Sequence, residues 1–157
     1  AIGLAAKKKY SFLCLIPYYI EHDYWHSVVG GIERARQELR PFNVSVDFLC
    51  YHHADRLSYE KACAKLRKEI VDAVLIAPNF REETMSLTSY LEGKKIPYAF
   101  IDFNIEDTHA LCYIGQDSQT SGYMAAKILM RKYKEGQELI LFLNNKKNNP
   151  AESDSGV

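Results

Sequence analysis

From Tyr10 onward, short apolar runs alternate with stretches in which apolar side chains recur every three or four residues. The runs are YSFLCLIP (Tyr10–Pro17), VSVDFLCY (Val44–Tyr51), DAVLIAP (72–78), PYAFID (97–102), LCYIG (111–115) and ELILFL (138–143). Several are apolar almost throughout, as strands covered on both faces of a parallel sheet must be. Between the first two, Tyr24–Leu39 places Trp25, Val28, Ile32, Ala35 and Leu39 at helical spacing, with Arg34, Arg36 and Glu38 opposite. That spacing predicts an amphipathic helix. A second helix is predicted over 57–70 through Ala62, Cys63, Leu66 and Ile70. A third over 82–93 carries Leu87 and Leu91 and ends on Gly93, a residue able to take the left-handed cap. The fourth, 119–133, is capped by Asp117 or Ser118 and has Ala126, Leu129, Met130 and Tyr133 as its buried stripe. The order β-α-β-α-β-α-β-β-α-β implies right-handed crossovers and an α/β fold, a doubly wound parallel sheet with helices on both faces. After it comes a polar tail, 144–157, without apolar period.

Composition narrows what this sheet serves. At 157 residues one core is expected. Lys plus Arg and Asp plus Glu each number 20, so no overall field draws the chain to nucleic acid or anionic lipid. Lys7, Lys8 and Lys9 precede the first strand as solvated side chains. The cysteines, Cys14, Cys50, Cys63 and Cys112, lack CxxC spacing, and three lie in apolar runs where a thiol packs as a small hydrophobe. They read as reduced, which points to the cytoplasm. No apolar stretch approaches the roughly 18 residues of a membrane span, so no membrane partner is expected.

Ligands of an open α/β sheet sit beyond the carboxyl ends of its strands. A nucleotide site there needs GxGxxG or GxxxxGKS after the first strand, because backbone amides must approach phosphate closely. The loop instead reads PYYIEHDYWHSVVGG, with Gly30 and Gly31 already inside the helix. A phosphate-accepting receiver domain needs a carboxylate pair after the first strand and an Asp ending the third. The strands end Ile16-Pro17-Tyr18 and Ala77-Pro78, so this reading fails as well.

What the first loop does carry is rings: Tyr18, Tyr19, His22, Tyr24, Trp25 and His26. An aromatic face suits the C–H face of a sugar or a nucleobase. Trp25 equally begins the buried stripe of its own helix, and spacing alone leaves both roles open. His22 and His26 lie four apart, but no Cys or Glu ligand is near and no metal is expected. His52 and His53 read as solvated loop residues. Asp102 ends the fourth strand, where a carboxylate can accept two hydrogen bonds from a vicinal diol; a plain turn is the alternative. Asp117 is assigned to capping. No Ser/His/Asp, Cys/His or paired-carboxylate arrangement is legible, so neither catalysis nor a cofactor is expected.

Four stretches, DYWHSVVGGIERARQEL, VDAVLIAP, KKIPYAFIDFN and YIGQDSQTSGYMAAKILM, together resemble the type I periplasmic-binding-protein fold as used in LacI/GalR transcription regulators. The likeness runs from Tyr10 to about Leu143. It implies an effector-binding and dimerising module of a DNA-binding repressor, with a sugar-like small molecule as ligand and Tyr24 and Trp25 as ring-stacking residues. Asp102 would hold hydroxyls, with Tyr19, Asn79 and Phe103 beside it, and Gly115, Gln116 and Asp117 would form the hinge. Where such relatives often place Arg after the strand-end Asp and Asn before the third-strand Pro, this chain has Phe103 and Ala77, which points away from a simple pentose or hexose.

The start, AIGLAAKKKY, is similar to the linker behind a helix-turn-helix headpiece, so operator DNA is expected to be met by that headpiece and not by this chain. The implied organisation is a linker over 1–9, an amino-terminal subdomain over 10–116, the first helix and strand of an incomplete second subdomain over 117–143, and the tail. Dimerisation is expected through the second and third helices. A periplasmic solute-binding protein and a small complete flavodoxin-like domain are the alternatives. If the second subdomain is incomplete, the apolar side of 119–133 and the run 138–143 should fold back on the first sheet or pack on a second copy. Sugar binding should then be weak.

Overall fold

The computed structural model describes residues 8–134 and 136–138. Its elements run β1 (Tyr10–Pro17), α1 (Tyr24–Leu39), β2 (Val44–Tyr51), α2 (Arg56–Leu66), β3 (Ala73–Ile76), α3 (Arg81–Gly93), β4 (Tyr98–Ile101), β5 (Tyr113–Ile114) and α4 (Ser118–Lys132). The strands form one sheet in the order β2-β1-β3-β4-β5, and every pairing is parallel. The sequence therefore yields the expected doubly wound α/β sheet. The sixth run, 138–143, and the tail lie outside the described residues, apart from Glu138.

Strand alternation divides the core into two layers. Leu13 and Leu15 of β1 point to one face with Val74, Ile76, Tyr98 and Phe100, where α2 and α3 cover them with Tyr59, Leu66, Leu87 and Leu91. Cys14 and Ile16 point the other way, against Trp25 and Val29 of α1. Buried hydroxyls in the first layer all find partners, as low-dielectric burial demands. Tyr51 donates to the Ala77 carbonyl at 2.7 Å, Tyr59 and Thr84 share a bond of 2.7 Å, and Thr84 also donates to the Phe80 carbonyl at 2.7 Å. The rings of Tyr51 and Tyr59 meet edge to face at 4.7 Å, a favoured aromatic geometry.

Several local expectations are corrected. The second helix stops at Leu66, and Ile70 is 95% exposed. The residues after Leu66 close as turns, Lys68 N–H to the Lys65 carbonyl and Glu69 N–H to the Leu66 carbonyl, which turns Ile70 out of the helical stripe. Gly93 stays helical and the left-handed residue is Lys95, with φ 57°. Before β2, Arg40–Phe42 form a 3-10 turn that ends on left-handed Asn43; proline at its start fits such a turn. Cys112 is exposed rather than packed, although all four thiols are free. Burial pushes the Cys14 and Cys63 thiols up to about 12, the condition of inert core cysteines.

The largest departure is α4. Its cap is as expected, since Asp117 accepts the Thr120 amide at 2.9 Å and the Thr120 hydroxyl at 2.7 Å. Yet none of its residues is buried, and Ile128, Leu129, Met130 and Tyr133 stand in solvent. The helix does not fold back on the sheet, because the chain leaves β5 at the sheet edge and α4 starts beyond the strand ends.

Candidate functional site

The strand ends open into a cleft of about 1050 Å³, the place where an open parallel sheet collects its functional loops. Three connections build it. The first is the loop after β1, which delivers Tyr24 as the opening residue of α1; Tyr24 is 56% exposed. The second is the turn after β3, which starts α3 at Arg81. The third is the loop after β4, which begins with Asp102 and Phe103 and includes Glu106 and Asp107. The chain then leaves through Gly115, Gln116 and Asp117, which form the remaining wall.

Asp102 is the organising residue. Its backbone is left-handed, φ 74°, a conformation that costs energy in most residues and that Asp tolerates comparatively well. Strand β5 holds it there, since the Asp102 amide donates to the Ile114 carbonyl at 3.0 Å and the Asp102 carbonyl accepts the Tyr113 hydroxyl at 2.9 Å. The Tyr24 phenol is raised above its ordinary range by burial first and then by its hydrogen bond to the Asp102 carboxylate. Asp102 and Tyr24 thus share the lining of the cleft. Tyr113 is raised likewise, by burial and then by Asp102 and Asp117.

Arg81 was not singled out by sequence. It is half-buried on the cleft wall, and its guanidinium makes no ion pair or hydrogen bond with the described residues. Its signal was available: it follows β3 by a short loop, and residues that follow a strand end are the ones that face such a cleft. The helix expected from the sequence began one residue later, at Glu82, and so left Arg81 unassigned.

Three expected site residues are placed elsewhere. Trp25 is 7% exposed and packs among Cys14, Ile16 and Ile101 under α1; its ring meets Tyr24 edge to face at 5.6 Å, so it supports the cleft from beneath. Asn79 is buried and its amide donates to the His53 carbonyl, which ties two loops together and leaves the side chain out of the cleft lining. Tyr19 stacks on His26, with planes 9° apart and centroids at 6.4 Å, outside the lining. Tyr24, Asp102, Phe103, Gly115, Gln116 and Asp117 do converge there. No group of three His, Cys, Asp or Glu side chains suited to a metal ion exists among the described residues. No helix among them is long and apolar enough to cross a membrane.

Among solved structures, the chain is similar to a candidate LacI transcriptional regulator from Bacteroides fragilis, at 37% identity and a TM-score of 0.73 over 79% of this chain and 43% of that one. It is also similar to GanP, a glucose-galactose binding protein from Geobacillus stearothermophilus, at 24% identity and a TM-score of 0.67 over 80% of this chain and 43% of that one. AraP, an arabinose binding protein from the same organism, follows at 18% identity and 0.65 over 79% and 41%. The chain thus spans less than half the length of these relatives. No curated protein matches it in sequence. Residues 13–154 match the periplasmic binding protein domain, and the chain belongs to that family.

Proposed function

We propose that this chain is the effector-binding part of a LacI-type transcription regulator and that its cleft holds an uncharged polyhydroxylated ligand of the carbohydrate class, without catalysis. The observation that carries the reading is Asp102, held in a left-handed conformation at a strand end and lining the cleft together with Tyr24. A carboxylate accepts from adjacent hydroxyls, and the guanidinium of Arg81 across the cleft donates to others. The rings of Tyr24 and Phe103 offer apolar faces for ring C–H groups. Asp102, Glu106, Asp107 and Asp117 outnumber the single cation Arg81, which disfavours sugar phosphates and uronates. A cleft of about 1050 Å³ exceeds what one sugar ring fills, in keeping with Phe103 standing where relatives of simple-sugar proteins place Arg.

The regulator half of the reading rests on the 37% identical relative from Bacteroides fragilis, with operator DNA contacted by a headpiece outside this chain. Homodimerisation through α2 and α3 belongs to the same proposal; a monomeric mass for the intact protein by light scattering would sink it. A periplasmic sugar-binding role is the second reading, favoured by the resemblance to GanP and AraP. Recovery of the intact protein from the periplasm selects it, and sugar-dependent DNA affinity selects the first.

The ligand claim is tested with the chain's single tryptophan, which touches Tyr24 from below. Titration with D-glucose, maltose and cellobiose should change Trp25 emission for at least one of them, at millimolar concentration. Asp102→Ala should weaken that response by about 1–3 kcal/mol, the cost of a buried hydroxyl left unpaired. Equal binding by wild type and Asp102→Ala, or tighter binding of glucose 6-phosphate than of glucose, would overturn the assignment.

A further inference from the structure

The exit from the sheet contains a close contact that neither capping nor core packing explains. The Tyr113 ring lies across Gly115: a Cβ on Gly115 would sit 2.1 Å from the phenol oxygen and 2.3 Å from the ring carbon that bears it. Gly115 is not among the residues with positive φ, so glycine is needed here for room and not for backbone freedom. Laid in that position, the hydroxyl reaches two backbone carbonyls, Asp102 at 2.9 Å and Gln116 at 3.2 Å. The first belongs to the residue that follows β4, the second to the segment that carries the chain into α4.

We propose that Tyr113 is a positioning residue, a phenol latch seated over Gly115 that ties the end of β4 to the chain's exit and fixes the placement of the Asp102 carboxylate. A phenol has one proton and neither carbonyl can donate. The two acceptors therefore share it or take it in turn. If the exit segment swings away and Gln116 withdraws, the hydroxyl keeps its bond to Asp102; if the segment returns, the second bond reforms. Asp102 is held at both of its backbone groups by adjacent residues of β5, its amide on Ile114 and its carbonyl on Tyr113. Its left-handed conformation is the kind that persists only when neighbours over-determine it. The Gln116 side chain is fixed separately, donating to the Ser121 hydroxyl at 2.8 Å, so the exit moves together with the start of α4. The latch thus joins the orientation of Asp102 to the direction in which α4 leaves. That Asp102 then meets a ligand rests on the carbohydrate reading above, whereas the latch itself does not.

Amide hydrogen exchange on the whole chain tests the latch without any ligand. Tyr113→Phe keeps the ring and removes the hydroxyl; the Asp102 amide should exchange about fivefold faster, the effect of one lost hydrogen bond on local opening, while amides in β1 and β3 keep their protection. Gly115→Ala should have an equal or larger local effect, because the new Cβ expels the ring. In a Tyr113→Ala background the same Gly115→Ala change should add nothing. Unchanged exchange at Asp102 in Tyr113→Phe, acceleration spread evenly over the sheet, or additive effects of Gly115→Ala and Tyr113→Ala would each overturn the proposal. A parallel titration with maltose separates the two layers of the argument: Asp102→Ala that binds as wild type contradicts the carbohydrate reading and leaves the exchange result to judge the latch.

Discussion

Helices α1 and α4 are nearly equal in length, 16 and 15 residues, and both carry apolar side chains at helical spacing. Helix α1 buries Trp25 and Val29 against the sheet, whereas α4 buries nothing. Periodicity shows that a helix has a face to bury; what it meets is decided by where the chain enters and leaves the sheet. Helix α1 returns from β1 to β2, its hydrogen-bonded neighbour, and so must lie on the sheet. Helix α4 follows the last described strand at the sheet edge, and its apolar face needs a partner from outside residues 10–114.

The most forceful way to break this comparison is to truncate each apolar face. Trp25→Ala should destabilise the chain by about 3–5 kcal/mol, as loss of a large buried side chain does. Met130→Ala should change it by less than about 0.5 kcal/mol, the range of surface substitutions. Denaturant midpoints measure both, and a comparable loss in the two would show that α4 is packed after all.

A finer contrast lies in the caps. Asp55 accepts the Ser58 amide at 3.1 Å at the start of α2, while Asp23, in the same position before α1, makes no side-chain cap bond. Asp55→Ala should therefore cost about 1 kcal/mol, and Asp23→Ala close to nothing, in thermal unfolding. Aspartate before a helical run predicts a start in both cases, but only the structure distinguishes a cap that is engaged from one that is not.

The third contrast is one of pH. Asp117 is held below the usual carboxylate range by the Thr120 amide and then the Thr120 hydroxyl. A lowered folded-state pKa means that the charged form is the one the fold favours. Its contribution to α4 is complete above the ordinary Asp value, about 4, and is lost as pH falls through the lowered value. Circular dichroism should show helix content falling in that acid window in wild type, and an Asp117→Asn variant should lack that step. An acid step of the same size in both would assign it to other carboxylates.

Much of this was legible beforehand. Apolar runs located every strand of the described sheet because buried parallel strands tolerate few polar residues, and the end of β4 placed Asp102 at the strand-end cleft that it lines. Trp25 was ambiguous for a physical reason: the first turn of α1 is both the top of a buried stripe and the rim of the cleft, and one residue's rotation about the axis separates them. Asn79 could not be read, since its amide is used by the carbonyl of His53, a partner 26 residues away. Arg81 and Tyr113 were missed because their significance lies in cross-loop geometry. Tyr113 read only as one apolar letter in LCYIG, and Gly115 as a generic hinge glycine; that one exists to admit the other appears only when both have coordinates.

The central claim is that the strand-end cleft organised by Asp102 is where this chain meets a polyhydroxylated ligand. The most direct measurement is a nuclear magnetic resonance titration of the isotopically labelled chain with maltose. The account predicts amide shifts concentrated at Tyr24, Arg81, Asp102, Phe103 and Gly115, with none of comparable size along α2 or the exposed face of α4, and their disappearance in Asp102→Ala. Shifts centred on another surface, or an unchanged pattern in Asp102→Ala, would contradict it.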